Sequence, residues 1–248
     1  MNILAVIPAR YASTRFPGKP LAMVAGTPMI QRVCQRVADA AACQKVVVAT
    51  DDERIAEAVR GFGGHVVMTS EACPNGTVRC HEAVERLEAN GESFDAVLNV
   101  QGDEPFVHPD QIEQLAELLR KPDAAVVTLA KSMPVDPEIH SPHRVKVVRN
   151  MKGRAMMFSR SPLPSGDGPW LQHVGLYGFT RTALEALVQL SPTPLEQRER
   201  LEQLRWLDHG WRIDVGTTPH LTPAVDTPED LLAIEAMIQS GNLPVQEG

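Results

Sequence analysis

Arg10, Arg15 and Lys19 stand close together in the segment Pro8-Ala9-Arg10-Tyr11-Ala12-Ser13-Thr14-Arg15-Phe16-Pro17-Gly18-Lys19-Pro20. Such a set of cations suits a polyanion. Lysine offers a point charge, arginine can donate two parallel bonds to phosphate oxygens, and backbone N–H groups complete a cradle. Gly18 gives the loop backbone angles that other residues resist. A nucleoside triphosphate would satisfy this arrangement; a solvated basic loop is the plainer alternative. The GxxxxGK[ST] and GxGxxG patterns are both absent, so neither common phosphate-binding fingerprint applies.

Two acidic positions complement the cations. In Asn99-Val100-Gln101-Gly102-Asp103-Glu104-Pro105 an apolar run stops at neighbouring carboxylates, and a carboxylate there suits a hard, oxygen-seeking ion such as magnesium. Asp103 is the better ligand candidate, while Glu104, just before Pro105, reads as a helix cap or a solvent-facing acid. Far along the chain, Ala224-Val225-Asp226-Thr227-Pro228-Glu229-Asp230 combines an N-cap (Thr227), a first-turn proline and a box-like acid (Asp230). That capping role leaves Asp226 outside the helix, where it could fold back to join Asp103 on one metal ion. The turn at Asn75-Gly76, with Thr77 beginning a helix, offers hydrogen bonds to a flat base or serves simply as a connection.

The elements that must position these residues repeat a β-branched run, a polar turn and an amphipathic segment, the mark of a parallel sheet with crossover helices. Strands are expected at Ile3–Pro8, Lys45–Thr50, His65–Thr69, Asp95–Val100 and Ala124–Ala130. The intervening helices are a segment from Met29 capped by Thr27, then Asp52–Phe62, Thr77–Asn90 and Pro109–Lys121. The predicted fold is α/β, a doubly wound, mostly parallel sheet flanked by helices, with ligands gathering beyond the carboxyl ends of the strands. The second half reads as a small β-rich excursion: strands at Arg144–Asn150, Arg154–Phe158 and Gln172–Phe179, helices at Arg181–Leu190 and Leu195–His209, a strand at Arg212–Val215 and a last helix from Thr227 to Ser240.

With 248 residues and 43% hydrophobic residues, the chain can build one α/β domain over residues 1–248. Its formal charge of −7 argues against a general nucleic-acid or anionic-membrane binder. The apolar run at the start is too short for a signal peptide or a membrane span, so a cytoplasmic location is expected. Cys34, Cys43, Cys73 and Cys80 show neither a CxxC pair nor zinc spacing and read as reduced packing thiols.

Taken together, IPARYASTRFPGKPL, VATDDERI, NGTVR, NVQGDEP, FSR, HVGLYGF, LEQLR and VDTPEDL, in that order, resemble the CMP-Kdo synthetases among the sugar-activating nucleotidyltransferases. The resemblance implies a Rossmann-related, nucleotidyltransferase-like fold, a homodimer, Mg2+ as cofactor and CTP and Kdo as substrates, in lipopolysaccharide biosynthesis. By position it implies that Ala9, Arg10, Arg15 and Lys19 hold the triphosphate, that Asn75, Thr77 and Arg79 meet the cytosine, and that Asp103 and Asp226 ligate the metal. It puts Arg10, Lys19, Asp103 and Asp226 in catalytic roles, and Gln101, Arg160, His173, Tyr177, Glu202 and Gln203 against the sugar. Residues 131–215 would carry the sugar site and dimer contacts. The stretch between Arg160 and His173 is shorter than in many relatives, and Val174 and Phe179 stand where leucine and tyrosine are usual.

The reaction so implied is attack by the sugar's anomeric 2-hydroxyl on the α-phosphorus of CTP, releasing pyrophosphate. Its main barrier is charge, since unit like charges at 4 Å repel by about 4 kcal/mol at an effective dielectric near 20. Transfer to 8-amino-Kdo or a sialic acid is the alternative within this chemistry, and a non-catalytic nucleotide-binding regulator the alternative outside it.

Overall fold

The computed structural model describes residues 1–221 and 223–241. In chain order it forms β1 (Ile3–Ala9), the short β2 (Met23–Val24) and β3 (Thr27–Pro28), α1 (Met29–Ala38), β4 (Lys45–Thr50), α2 (Glu53–Gly61), β5 (His65–Met68), α3 (Gly76–Ala89), β6 (Ala96–Asn99), α4 (Pro109–Leu119) and β7 (Val126–Met133). Then come β8 (Lys146–Arg149), β9 (Ala155–Ser159), β10 (Trp170–Thr180), α5 (Arg181–Leu187), α6 (Pro194–Glu199), α7 (Gln203–Asp208), β11 (Ile213–Thr217) and α8 (Pro228–Gln239). The α/β class expected from the sequence is what forms. The chain divides into two compact, interleaved units: residues 4–93, 99–109 and the described part of 222–248 make a basic-loop unit, and residues 1–3, 94–98 and 110–221 an aromatic unit.

In the basic-loop unit β1, β4 and β5 pair in parallel, in that order. Ile3 through Ile7 are fully buried, as are Val48 and Ala49; strands covered on both faces read as continuous apolar runs, which is why they were legible. Three helices connect or follow them. Asp52 caps α2 by accepting from the Arg54 N–H, and Asn75 caps α3 by accepting from Val78. A separate cluster of Val24, Met29, Phe106, Val225 and Ile234, backed by Phe16, packs α8 and the start of α1 together.

In the aromatic unit the order is β11, β7, β10, β6. β7 runs parallel to β11 and antiparallel to β10, so β10 lies between β6 and β7 rather than leaving them adjacent as consecutive members of a repeating series. β8 and β9 form the predicted β-rich excursion, antiparallel to each other and attached through β10. The close approach at Gly178 shows how tight this is: a Cβ there would lie 2.8 Å from Leu119 and Val127 side-chain carbons.

Three local expectations are corrected. Thr27 does not cap α1; it pairs in the β2–β3 hairpin and Pro28 stands at the cap position. The helix expected over 195–209 is two helices, because Arg200 adopts a left-handed φ of 55° and stops α6. Glu104 is neither solvent-facing nor exposed; it is buried, at 8% exposure. The last helix begins as its sequence specifies, with Thr227 and Asp230 closing a capping box.

Candidate active site

The cleft of the basic-loop unit has a volume of about 310 Å³, and Ala9, Arg10, Arg15, Lys19, Asn75, Arg79, Gln101, Asp103 and Asp226 all line it. Its floor is the carboxyl end of β1, and the tight packing there depends on glycine: a Cβ on Gly102 would sit 3.0 Å from the Pro8 carbonyl oxygen. The basic loop is closed on itself. Gly18, at φ 73°, donates to the Tyr11 carbonyl at 2.9 Å and lies against the Tyr11 ring, and the Arg54 guanidinium lies 3.3 Å over that ring's centre. Asp52, the cap of α2, holds Arg54 with two side-chain bonds of 2.9 and 2.6 Å. Phe16 is fixed from below by the apolar cluster around Val24 and Ile234.

Asp103 and Asp226, far apart in sequence, meet at one cation. The Lys19 ammonium donates to Asp103 at 2.8 Å and to Asp226 at 3.3 Å, so the two carboxylates are no farther apart than those bonds laid end to end. Arg15 adds a fork to Asp226 at 3.2 and 3.3 Å. The backbone enforces the meeting: Val225 N–H donates to the Asp103 carbonyl at 2.9 Å, and Asp230 accepts from the Asp226 N–H at 2.9 Å. Two carboxylates around one positive centre are a hard-oxygen donor set suited to a divalent ion, with Lys19 standing where such a charge is wanted.

Arg79, which also lines the cleft and is only 3% exposed, is anchored by Thr69 Oγ1 at 2.6 Å and Asp51 at 2.7 Å. Thr77, two residues earlier on α3, is buried and does not line the cleft. Cys73 does line it, which the packing role assigned to it missed. Its thiol donates to Glu82 at 3.0 Å, and burial together with that carboxylate pushes it up to about 11, leaving an unreactive neutral donor.

The remaining sequence-predicted residues, Arg160, His173, Tyr177, Glu202 and Gln203, belong to the aromatic unit. Four residues of strand normally span about 13 Å, yet the rings of His173 and Tyr177 are 5.4 Å apart. The cause is a bulge in β10, where the register jumps between Val174 and Tyr177. Thr128 fills the bulge, its hydroxyl donating to the Leu176 carbonyl at 2.7 Å and lying 3.2 Å from the Val174 carbonyl and 3.0 Å from His173 Nε2. Phe158, Phe179 and Trp206 complete the cluster, Trp206 edge-on to Tyr177 at 5.1 Å. Burial lowers the His173 imidazole to about 3, so it is neutral. Burial first and the Glu202 charge second hold the Tyr177 phenol protonated, and among the described residues its hydroxyl has no hydrogen-bond partner. Gln203 is buried at the start of α7. Arg160 donates to the carbonyls of Glu199, Pro142 and Arg200 at 2.9, 2.9 and 3.4 Å.

A family model described as cytidylyltransferase matches residues 4–213. The chain belongs to the cytidylyltransferases. It is 46% identical to the 3-deoxy-manno-octulosonate cytidylyltransferase of Parabacteroides distasonis, over 93% of this chain and 96% of that one. It is 44% identical to the mitochondrial enzyme of that name from Arabidopsis thaliana, over 98% of this chain and 85% of the other. A solved CMP:2-keto-3-deoxy-manno-octonic acid synthetase complexed with CTP superposes with a TM-score of 0.91 at 38% identity, covering 97% of this chain and 100% of that one. A cytidylyltransferase from Leptospira borgpetersenii, at 17% identity and a TM-score of 0.63, shares the fold.

In this cytidylyltransferase the supporting residues were harder to read than the ones that line the cleft. Asp51 stood within the VATDDERI motif without a role, and only its bond to Arg79 supplies one. Tyr11 and Arg54 gave no signal, because a cation over an aromatic ring leaves no sequence spacing to recognise. No helix among the described residues is long and apolar enough to cross a membrane.

Proposed function

We propose that this cytidylyltransferase transfers CMP from CTP to the anomeric 2-hydroxyl of Kdo, releasing pyrophosphate. The observation that carries the reading is the convergence of Asp103, Asp226, Lys19 and Arg15 in a cleft at the carboxyl end of a parallel strand. Arg10, Arg15 and Lys19 bind and orient the triphosphate, and Asn75 and Arg79 take the base against the amino end of α3. The sugar oxygen forms its bond to the α-phosphorus as the bond to the bridging oxygen breaks; pyrophosphate carries off that electron pair and the hydroxyl proton passes to water. Lys19 and the arginines offset the meeting of two anions and stabilise the charge on the departing group.

Asp103 and Asp226 would hold magnesium, which when bound neutralises triphosphate charge and polarises the phosphoryl oxygen. The Lys19 ammonium between them supports the fit, because it marks a seat already built for positive charge. In the aromatic unit, the unpartnered Tyr177 hydroxyl and the neutral His173 are suited to sugar hydroxyls, and Arg160 to the sugar carboxylate. We also read the enzyme as a cytoplasmic homodimer, to which the exposed Val135, Met151 and Met156 of residues 131–215 lend support; sedimentation of the purified chain tests this.

The deciding experiment incubates the purified chain with CTP, magnesium and a panel of Kdo, 8-amino-Kdo and a sialic acid. Pyrophosphate release and a new phosphodiester phosphorus signal with Kdo are expected. Release with another sugar alone would move the substrate, and release with none would refute transfer.

A further inference from the structure

Lys146 is the first residue of β8, flanked by valines, and its side chain is fully buried. A buried ammonium is costly unless every N–H is satisfied. Here the three N–H groups meet three backbone carbonyls: Ser141 at 2.9 Å, Arg144 at 2.6 Å and Arg160 at 2.6 Å. Its donors are therefore saturated, and no N–H is left for a ligand. Burial, and then the neighbouring Arg160 charge, lower its pKa, while Glu199 acts the other way. An apolar residue would suit a strand among valines at no such cost, so the charge at this position calls for an explanation.

The three carbonyls supply one. Ser141 and Arg144 bracket the turn that contains Pro142, and the Pro142 carbonyl accepts from the Arg160 guanidinium. Lys146 thus holds Arg160 twice, directly through its carbonyl and indirectly through the turn that anchors its side chain. From the other side Glu199 accepts from the Arg160 backbone N–H and from Ser159 Oγ, and the Glu199 and Arg200 carbonyls accept from the guanidinium. Three of the five guanidinium N–H groups are committed in this way, and two remain to meet a carboxylate.

We infer that Lys146 is a positioning residue for the acceptor sugar: its ammonium fixes the turn and strand end that aim the free N–H groups of Arg160. The inference rests on the reading that Arg160 meets the sugar acid. Its effect falls on sugar recognition and leaves CTP binding alone, because neither Lys146 nor any of its three partners lines the nucleotide cleft.

The test uses the full-length chain carrying Lys146→Met, Lys146→Gln, Arg160→Ala and the double variant Lys146→Met/Arg160→Ala. The Gln variant keeps two donors should the Met variant fail to fold. Steady-state rates are taken with sugar and CTP varied in turn, and CTP binding is followed by calorimetry. A displacement of the carboxylate-binding group should raise the KM for the sugar by about tenfold or more, with the CTP dissociation constant within about twofold of the parent. The double variant should be no worse toward sugar than Arg160→Ala alone, since Lys146 acts through Arg160. An unchanged sugar KM in a folded Lys146 variant, beside a raised one in Arg160→Ala, overturns the positioning role and leaves the sugar site standing. Multiplying effects in the double variant overturn it too. An unchanged sugar KM in Arg160→Ala removes Arg160 from the sugar site, and the inference falls with it.

Discussion

Two lysines set the regions of this enzyme against each other. Lys19 keeps 15% of its side chain exposed and is held by two carboxylates, one of them 45% exposed. Lys146 is sealed and held by three backbone carbonyls. A carboxylate held by an ammonium can exchange that partner for a metal ion, and the ammonium can turn to a phosphate, so the contacts in the cleft are ones that substrate binding can replace. A carbonyl in a turn has no such alternative, so the contact at Lys146 is architecture. The same contrast runs through each region: in the basic-loop cleft charge is paired by charge, whereas His173 and Tyr177 are kept neutral by burial.

The largest effect should come from breaking the charged side. Asp103→Asn or Asp226→Asn should lower turnover by about 10²–10³-fold while thermal unfolding stays near that of the parent, because each change removes charge at a partly exposed site. Near-parental turnover in either variant would take that carboxylate out of the reaction. Lys19→Ala should cut kcat/KM for CTP by about 10²-fold, measured under limiting CTP; an unchanged value would mean that Lys19 serves only its two aspartates.

On the architectural side the currency is stability. Trp206, edge-on to both Tyr177 and Phe179, should cost about 3–5 kcal/mol when replaced by alanine, read from urea unfolding. A smaller effect of pH sharpens the same point. The folded His173 has a pKa of about 3, below its ordinary 6.5, so the folded state binds fewer protons than the unfolded one between those values. That contribution to stability is complete above pH 6.5 and is lost as pH falls toward 3. The melting temperature should therefore drop between pH 7 and pH 5, and His173→Asn should flatten part of that slope; an identical slope would show that His173 is not what titrates. The smallest effect belongs to Arg54→Ala, which loosens Tyr11 by about 0.5–1 kcal/mol and should raise the KM for CTP only a few-fold.

How far the site was legible follows from how each part is specified. The cations of the basic loop, Asp103 at a strand end and the Thr227 capping box are written in local order, so residue type and spacing were enough. The failures were also local in cause. Thr27 resembled an N-cap because it stands before a proline and a helical run, although its hairpin partner Val24 lies only three residues upstream, and Arg200 breaks a helical pattern through a backbone angle that arginine seldom takes. Glu104 appeared solvent-facing because an acid just before a proline and a helix start is commonly exposed, whereas here it is buried.

By itself the amino-acid order determined the α/β class, the strands buried on both faces, the helix starts and the loop that gathers positive charge, since each depends on hydrophobic periodicity or on a side chain bonding its own backbone. Only the tertiary structure decided that Asp226 meets Asp103 at one ammonium, that a two-residue bulge brings His173 to Tyr177, and that a lysine among valines ties a turn to Arg160. Those are contacts between chain segments separated by from a handful to more than a hundred residues, and they arise where packing brings side chains and carbonyls of different segments within reach of one another.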